Sequence, residues 1–204
     1  MRTSHLEIIV EEHSMEAFLQ AFLPSLLRED QTFKIVHFQG KKDLLNKLEA
    51  RLKGYAKWLP SDWRIIVIVD RDDEDCLKLK RQLEDAARHA GLATRRQSGG
   101  KTWQIANRIA IEELEAWYFG DWDAVKRAYP RIKENISSKK GFRDPDAIRN
   151  TWESFEKILK KHGYFKCGLA KIEAARTIGA NICPERNISH SFGIFLRTVT
   201  EISK

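Results

Sequence analysis

Two runs of acidic residues each close an apolar segment, and these carboxylates are the groups in the chain best able to do chemistry. Residues 6–10 run into Glu11 and Glu12, and the unbroken β-branched stretch 65–69 runs into Asp70, Arg71 and Asp72, then Asp73, Glu74 and Asp75. Hard carboxylate oxygens suit Mg²⁺ or Mn²⁺, ions that keep several waters and complete their shell with substrate phosphates. Along an extended backbone residues i and i+2 point the same way, so Asp70 and Asp72 are expected to offer two carboxylates to one site. Asp70 comes too early to cap the next helix, whereas Glu74 and Asp75 suit that role. A third acidic group, Glu112, Glu113, Glu115 and Asp121, is interleaved with Leu114, Ala116, Trp117 and Phe119. It reads either as the wet face of an amphipathic helix or, through Glu113 and Glu115, as a supplementary metal contact.

For acids so far apart in sequence to meet, strands must carry them to one edge. Strand-like segments are read at 6–10, 32–38, 65–69 and 103–111, with a further piece at 92–96. Helical patterns cover 14–27, the stretch after Gly40 that carries Leu44, Leu45, Leu48 and Leu52, and 75–90. A fully apolar strand such as 65–69 belongs to a parallel sheet covered on both faces. Beyond residue 111 the patterns are helical, at 112–119, 121–128, 145–161, 169–178 and 191–202, with a long loop at 130–144. The expected fold is a doubly wound, mostly parallel α/β domain over residues 1–121 and a basic, mainly helical portion over 122–204. In such sheets ligands bind outside the carboxyl ends of the strands, where both acidic runs fall.

The 204 residues are 42% hydrophobic, enough for a proper core, and the three cysteines are too scattered for a disulfide framework or a zinc site. No stretch reads as a signal peptide or a membrane span, so a cytoplasmic protein is expected. Residues 1–121 hold 19 Lys and Arg against 20 Asp and Glu, whereas the remainder holds 17 against 9. A basic portion beside an acidic pocket suits DNA or RNA, with Lys41, Lys139, Lys140, Arg143 and Lys171 as candidate phosphate contacts; solvation of helix surfaces is the plainer alternative. Gly99-Gly100-Lys101-Thr102 imitates the end of a phosphate-binding loop, but Arg95 stands where its first glycine belongs, and a tight hairpin is expected instead. No Gly-x-Gly-x-x-Gly follows a strand, so a dinucleotide is not expected. His13 and His190 read as structural or exposed more readily than as proton carriers. Trp117 and Phe192 read as core.

Four segments in a fixed order carry a resemblance: Val10-Glu11-Glu12-His13-Ser14-Met15, Val69-Asp70-Arg71-Asp72, Glu113-Leu114-Glu115-Ala116-Trp117 and Ser189-His190-Ser191-Phe192, with Gly40-Lys41 between the first two. Together they resemble the Toprim domain of topoisomerases, bacterial primases and nucleases of the overcoming-lysogenization-defect group. More narrowly, nearly the whole chain resembles a bacterial Toprim-like family of unknown function. The resemblance implies that Glu11 is a general acid/base or a metal ligand and that Asp70 and Asp72 bind Mg²⁺. It also implies cleavage of nucleic-acid phosphodiesters, a place in phage defence and an AAA- or ABC-type ATPase as a partner. The alternative is a non-catalytic subunit that binds an ATPase or nucleic acid. Two positions depart from the family pattern: Glu12 replaces a glycine, and Met15 replaces an acid, with Glu16 adjacent.

Overall fold

A computed structural model describes residues 2–99 and 102–203. Four strands, β1 (His5–Val10), β2 (Thr32–His37), β3 (Trp63–Asp70) and β4 (Ile105–Ala110), pair in parallel in the order β2-β1-β3-β4. Between them run α1 (His13–Phe22), α2 (Lys41–Ala56) and α3 (Cys76–His89); α4 (Glu115–Gly120), α5 (Trp122–Ala128), α6 (Thr151–Lys161), α7 (Lys171–Gly179) and α8 (His190–Ile202) follow. The expected α/β sheet with a helical C-terminal part is therefore present.

Strand alternation divides the core into two layers. Leu6, Ile8, Val10, Ile66 and Ile68 pack with Phe18 of α1 and with Trp117, Phe155 and Phe195 of the later helices. Ile9, Ile65, Val67 and Val69 face Leu44, Leu48 and Leu52 of α2 and Leu79 and Leu83 of α3. Helices on both faces make the sheet doubly wound. From β1 the chain moves to one side for β2, then returns past β1 for β3, so the winding reverses between β1 and β3. That reversal opens the crevice in which ligands of such sheets bind.

Four elements differ from the sequence reading. Residues 92–96 form no strand; Thr94 alone bridges to Ile105, and in parallel. A parallel bridge needs the chain to circle back, so the expected hairpin is absent from the described part of this turn; Gly100 and Lys101 lie outside the described residues. The helix expected over 145–161 breaks into a 3-10 turn, Pro145–Ala147, and α6, because Asn150 between them is left-handed (φ 50°). The helix expected from Glu112 begins only at Glu115. Helix α1 stops at Phe22 and tightens into a 3-10 turn at Leu23–Ser25, where Pro24 offers no backbone N–H.

The backbones of α7 and α1 approach closely where the two helices cross at Gly179. A Cβ on Gly179 would sit 2.6 Å from the Phe18 carbonyl oxygen, so Gly179→Ala must push apart the helices that hold Lys171 over the sheet. Its expected cost is about 1–3 kcal/mol in urea unfolding. Gly54→Ala, in the last turn of α2 with open space around it, is expected to gain up to about 1 kcal/mol. Equal effects of the two substitutions would refute the assigned contact.

Candidate functional site

Glu11 directly follows β1 and Asp70 is the last residue of β3, so the two flank the crevice between neighbouring strands. Gly40 adopts φ 91°, a conformation natural to glycine, and its N–H donates to the Glu11 carbonyl at 2.8 Å. This turn starts α2 with Lys41 aimed at the crevice. Lys41 Nζ donates to Asp72 Oδ2 at 2.6 Å and to the Arg71 carbonyl at 3.0 Å, and lies 3.4 Å from Glu74 Oε1. Glu12, where the resemblance has glycine, is extended (φ −147°) and unstrained. Met15, where an acid is common, is core.

Asp70 and Asp72 do not point alike. The strand ends at Asp70, and Asp72 turns left-handed (φ 49°), leaving its side chain half exposed against Lys41. The two-residue period holds only while the strand lasts. Asp75 caps α3 as expected, accepting from the Lys78 N–H at 2.7 Å.

The acids at the crevice are buried: Glu11 is 7% exposed, Asp70 5% and Glu115 4%. Burial first of all lifts the Glu11 carboxyl to about 7; Lys41 pulls it down, Asp72 and Glu12 push it up, and a hydrogen bond with the Asp70 carboxyl lowers it. Burial, then the charges of Glu11, Glu115, Glu12 and Asp72, hold Asp70 well above the usual carboxylate range. Glu115 is raised to about 7, again chiefly by burial, with Lys171 opposing and Glu113 adding. Glu11 Oε2, Asp70 Oδ1 and the Tyr118 hydroxyl are buried and have no hydrogen-bond partner. Bare buried carboxylate oxygens are stable when protonated or when a cation meets them. The buried oxygens of Glu11 and Asp70 could hold a hard divalent cation, although Glu11, Asp70 and Asp72 do not all bring ligand atoms within 4.8 Å of one another.

The later helices close the other side. Glu115 faces the cluster from the start of α4. Glu113 instead accepts from Thr151 Oγ1 at 2.6 Å and the Trp152 N–H at 3.1 Å, which ties the carboxylate to the start of α6. Lys171, at the start of α7, lies over the Trp152 ring at 4.7 Å. Burial would lower its pKa, but Glu115, Glu12, Glu113 and Asp70 more than reverse that. Asp121 caps α5 and also accepts from the Cys183 N–H at 2.7 Å.

Of the five candidate phosphate contacts, Lys41 and Lys171 are thus at the crevice. Lys139 pairs with Glu134, Arg143 Nε donates to the Ser138 carbonyl at 3.3 Å, and Lys140 is exposed on the same loop. No interaction among the described residues links these three to Glu11 or Asp70.

Sequence reading missed Glu12 and Tyr118 as members of the cluster. The available signal was spacing: Tyr118 lies three residues after Glu115 on one helix face. Glu112, singled out with the third acidic group, is buried and paired instead, with Oε1 2.6 Å from Arg149 Nη1 and 3.2 Å from Arg71 Nη2. His13 joins a different group. Glu16 Oε2 lies 2.8 Å from His37 Nδ1 and 3.4 Å from His13 Nδ1, and these three residues can bring ligand atoms within 4.8 Å of one another.

Fold and site together define a doubly wound parallel α/β protein with a buried carboxyl cluster at its switch point. The sequence profile described as Domain of unknown function (DUF4276) matches residues 10–200, and the chain belongs to that family. Among solved structures, the C-terminal region of the Burkholderia pseudomallei OLD protein is similar at 15% identity and a TM-score of 0.49, with 98% of this chain and 99% of that one covered. No curated protein matches. Among the described residues, no helix is long and apolar enough to cross a membrane.

A carboxyl whose pKa rises on folding binds its proton more tightly in the native state. The stability this contributes is complete below about pH 4.5, the ordinary glutamate value, and is lost as pH rises through about 7 for Glu11 and Glu115. In chelator, Glu11→Gln and Glu115→Gln are therefore expected to match wild type near pH 4.5 and to melt several degrees higher at pH 8. A melting-temperature difference that stays constant with pH would refute these shifts.

Proposed function

We propose that the chain is a Toprim-like, Mg²⁺- or Mn²⁺-dependent nuclease that hydrolyses phosphodiester bonds of DNA or RNA. The observation that carries this reading is the pair of buried, unpartnered carboxylate oxygens on Glu11 and Asp70 at the switch point of a parallel sheet. When bound there, the divalent cation supplies charge that offsets the charge growing on the phosphate and lowers the pKa of water.

The chain's own groups divide the remaining work. Glu11, raised to about 7 while no cation is bound, would give up its proton on ligating one. Asp70 would hold the cation. Asp72 holds Lys41, and Lys41 and Lys171 stand on either side of the carboxyl cluster, suited to the non-bridging oxygens of a phosphate. Tyr118 and the apolar layer beneath exclude water from the inner side of the cluster.

The test combines metal binding and cleavage. Wild type is expected to bind Mg²⁺ or Mn²⁺ by calorimetry and to cut nucleic acid only with metal present. Asp70→Asn should abolish metal binding and reduce cleavage by at least about a hundredfold, while still unfolding cooperatively. Lys171→Ala should weaken nucleic-acid binding and reduce the slope of log K against log salt by about one. Metal-independent cutting, or wild-type rates in Asp70→Asn, would overturn the assignment. Metal and nucleic-acid binding without cutting would instead favour a non-catalytic subunit, with an ATPase as the first partner to test by co-purification.

A further inference from the structure

The edge strand β4 borders a second site, chemically opposite to the carboxyl cluster. Between α3 and α8 lies a cavity of about 450 Å³ lined by Lys80, Arg95, Arg96 and Arg108, with no acidic side chain in its wall among the described residues. Arg95 is committed to Glu201, with its Nη2 and Nε 2.6 and 2.9 Å from Oε2. Lys80 has a longer pairing with Glu84 at 3.5 Å, and Arg96 and Arg108 make no ion pair among the described residues.

Arg108 is 8% exposed. Its Nε donates to Thr198 Oγ1 at 2.7 Å and its Nη1 to the Asn107 carbonyl at 2.6 Å. Among the described residues, no carboxylate comes within 4.0 Å of its guanidinium. Lys80 donates to the same Asn107 carbonyl and is 3.5 Å from Glu84. Burial, and then the Arg108 charge, bring its amine down to about 8. Arg96 makes no hydrogen bond or ion pair among the described residues. Glu84 and Glu201 act on Arg108 only from beyond contact distance; a buried guanidinium with no carboxylate in contact is costly, and an anion in this cavity would meet it together with the Lys80 amine and the exposed Arg96.

The cavity is larger than an inorganic anion needs and falls in the size range of small-molecule sites. Its apolar lining, Ile109, Ile111, Ile194 and Leu77, comes from both flanking helices and the end of β4, and Leu77 is 71% exposed. An exposed leucine beside a buried arginine suits a ligand with an anionic head and a flat, less polar body. Because Arg108 is nearly buried, the anionic group must be an end that can enter rather than an internal link of a continuous backbone.

We propose that this cavity binds the terminal phosphomonoester of a nucleotide, with Arg108 and Lys80 holding the phosphate, Arg96 at the entrance, and the apolar lining taking the base. The site is independent of the nuclease reading, because none of its residues belongs to the carboxyl cluster.

Calorimetry on the full chain in chelator, which removes metal from the carboxyl site, tests this with AMP, adenosine and inorganic phosphate. AMP is expected to bind, with adenosine and phosphate each at least about tenfold weaker. Lys80→Met and Arg96→Ala should each weaken AMP about tenfold, whereas Glu11→Gln should not change it. Both cation variants alter partly or fully exposed side chains, so the test survives if a substitution of Arg108 fails to fold. A dinucleotide with a terminal phosphate distinguishes the sources. Affinity equal to AMP assigns the site to nucleic-acid ends, and much weaker affinity assigns it to free nucleotides. The proposal is overturned if AMP does not bind at millimolar concentration, if adenosine binds as well as AMP, or if Lys80→Met and Arg96→Ala bind AMP like wild type.

Discussion

Glu11 and Asp70 are shut away from water, where neither carboxyl ionises easily, yet two apolar layers hold the strands that carry them side by side. Every apolar residue from Ile65 to Val69, and Leu6, Ile8, Ile9 and Val10, is fully buried. Each such side chain contributes roughly 1.5–3 kcal/mol, so the layers outweigh the few kcal/mol that the acids cost. The parallel register, with Val10 opposite Ile68, leaves no freedom for the two carboxyls to separate along the strands. A strained, electrostatically unfavourable cluster persists because the fold around it is held by unrelated contacts. That is the usual arrangement for a site whose missing favourable term comes from a ligand.

The C-terminal helices supply the other wall of this crevice, and the polar segments at their ends explain how. Ser189 caps α8 through the Phe192 N–H, and Asp146 accepts from Ser189 Oγ at 2.6 Å and from the Ser191 N–H at 2.7 Å. Ser191 Oγ in turn accepts from Trp117 Nε1 at 3.0 Å. The Ser-x-Ser-Phe segment thus fastens α8 to α4, the helix that presents Glu115. Glu113 fastens α6 to the same place. Much of what looks catalytic in these motifs is anchorage, and the carboxylate that faces the crevice is the one left over from it.

Basic residues follow a similar division. The surplus in the second half of the chain includes Lys139, which is neutralised by Glu134, while Lys171 alone of the C-terminal candidates stands at the acids. Arg96 and Arg108, which no carboxylate contacts among the described residues, instead lie beside and on β4, where alternation sends Arg108 toward α8 and Asn107 toward α3. Local composition therefore locates positive charge poorly, because each side chain's partner is chosen by packing.

From sequence alone, the four strands, the two-sided burial of β3 and the carboxylates at the ends of β1 and β3 were legible. Apolar runs and their abrupt acidic stops are local patterns, and strand geometry converts them directly into position. Helix capping by Asp75 was legible for the same reason, as were Trp117 and Phe192 as core. Which acids converge was not. Asp72 followed the two-residue period on paper but lies beyond the strand's end, in a left-handed turn. Glu113 and Glu115 are alike in sequence and differ only because Thr151 and Trp152 claim one of them. The charge state of Glu11 and the isolation of Arg108 depend on neighbours that approach from distant parts of the chain. Burial and pairing are properties of the assembled fold, so only the tertiary structure could decide them.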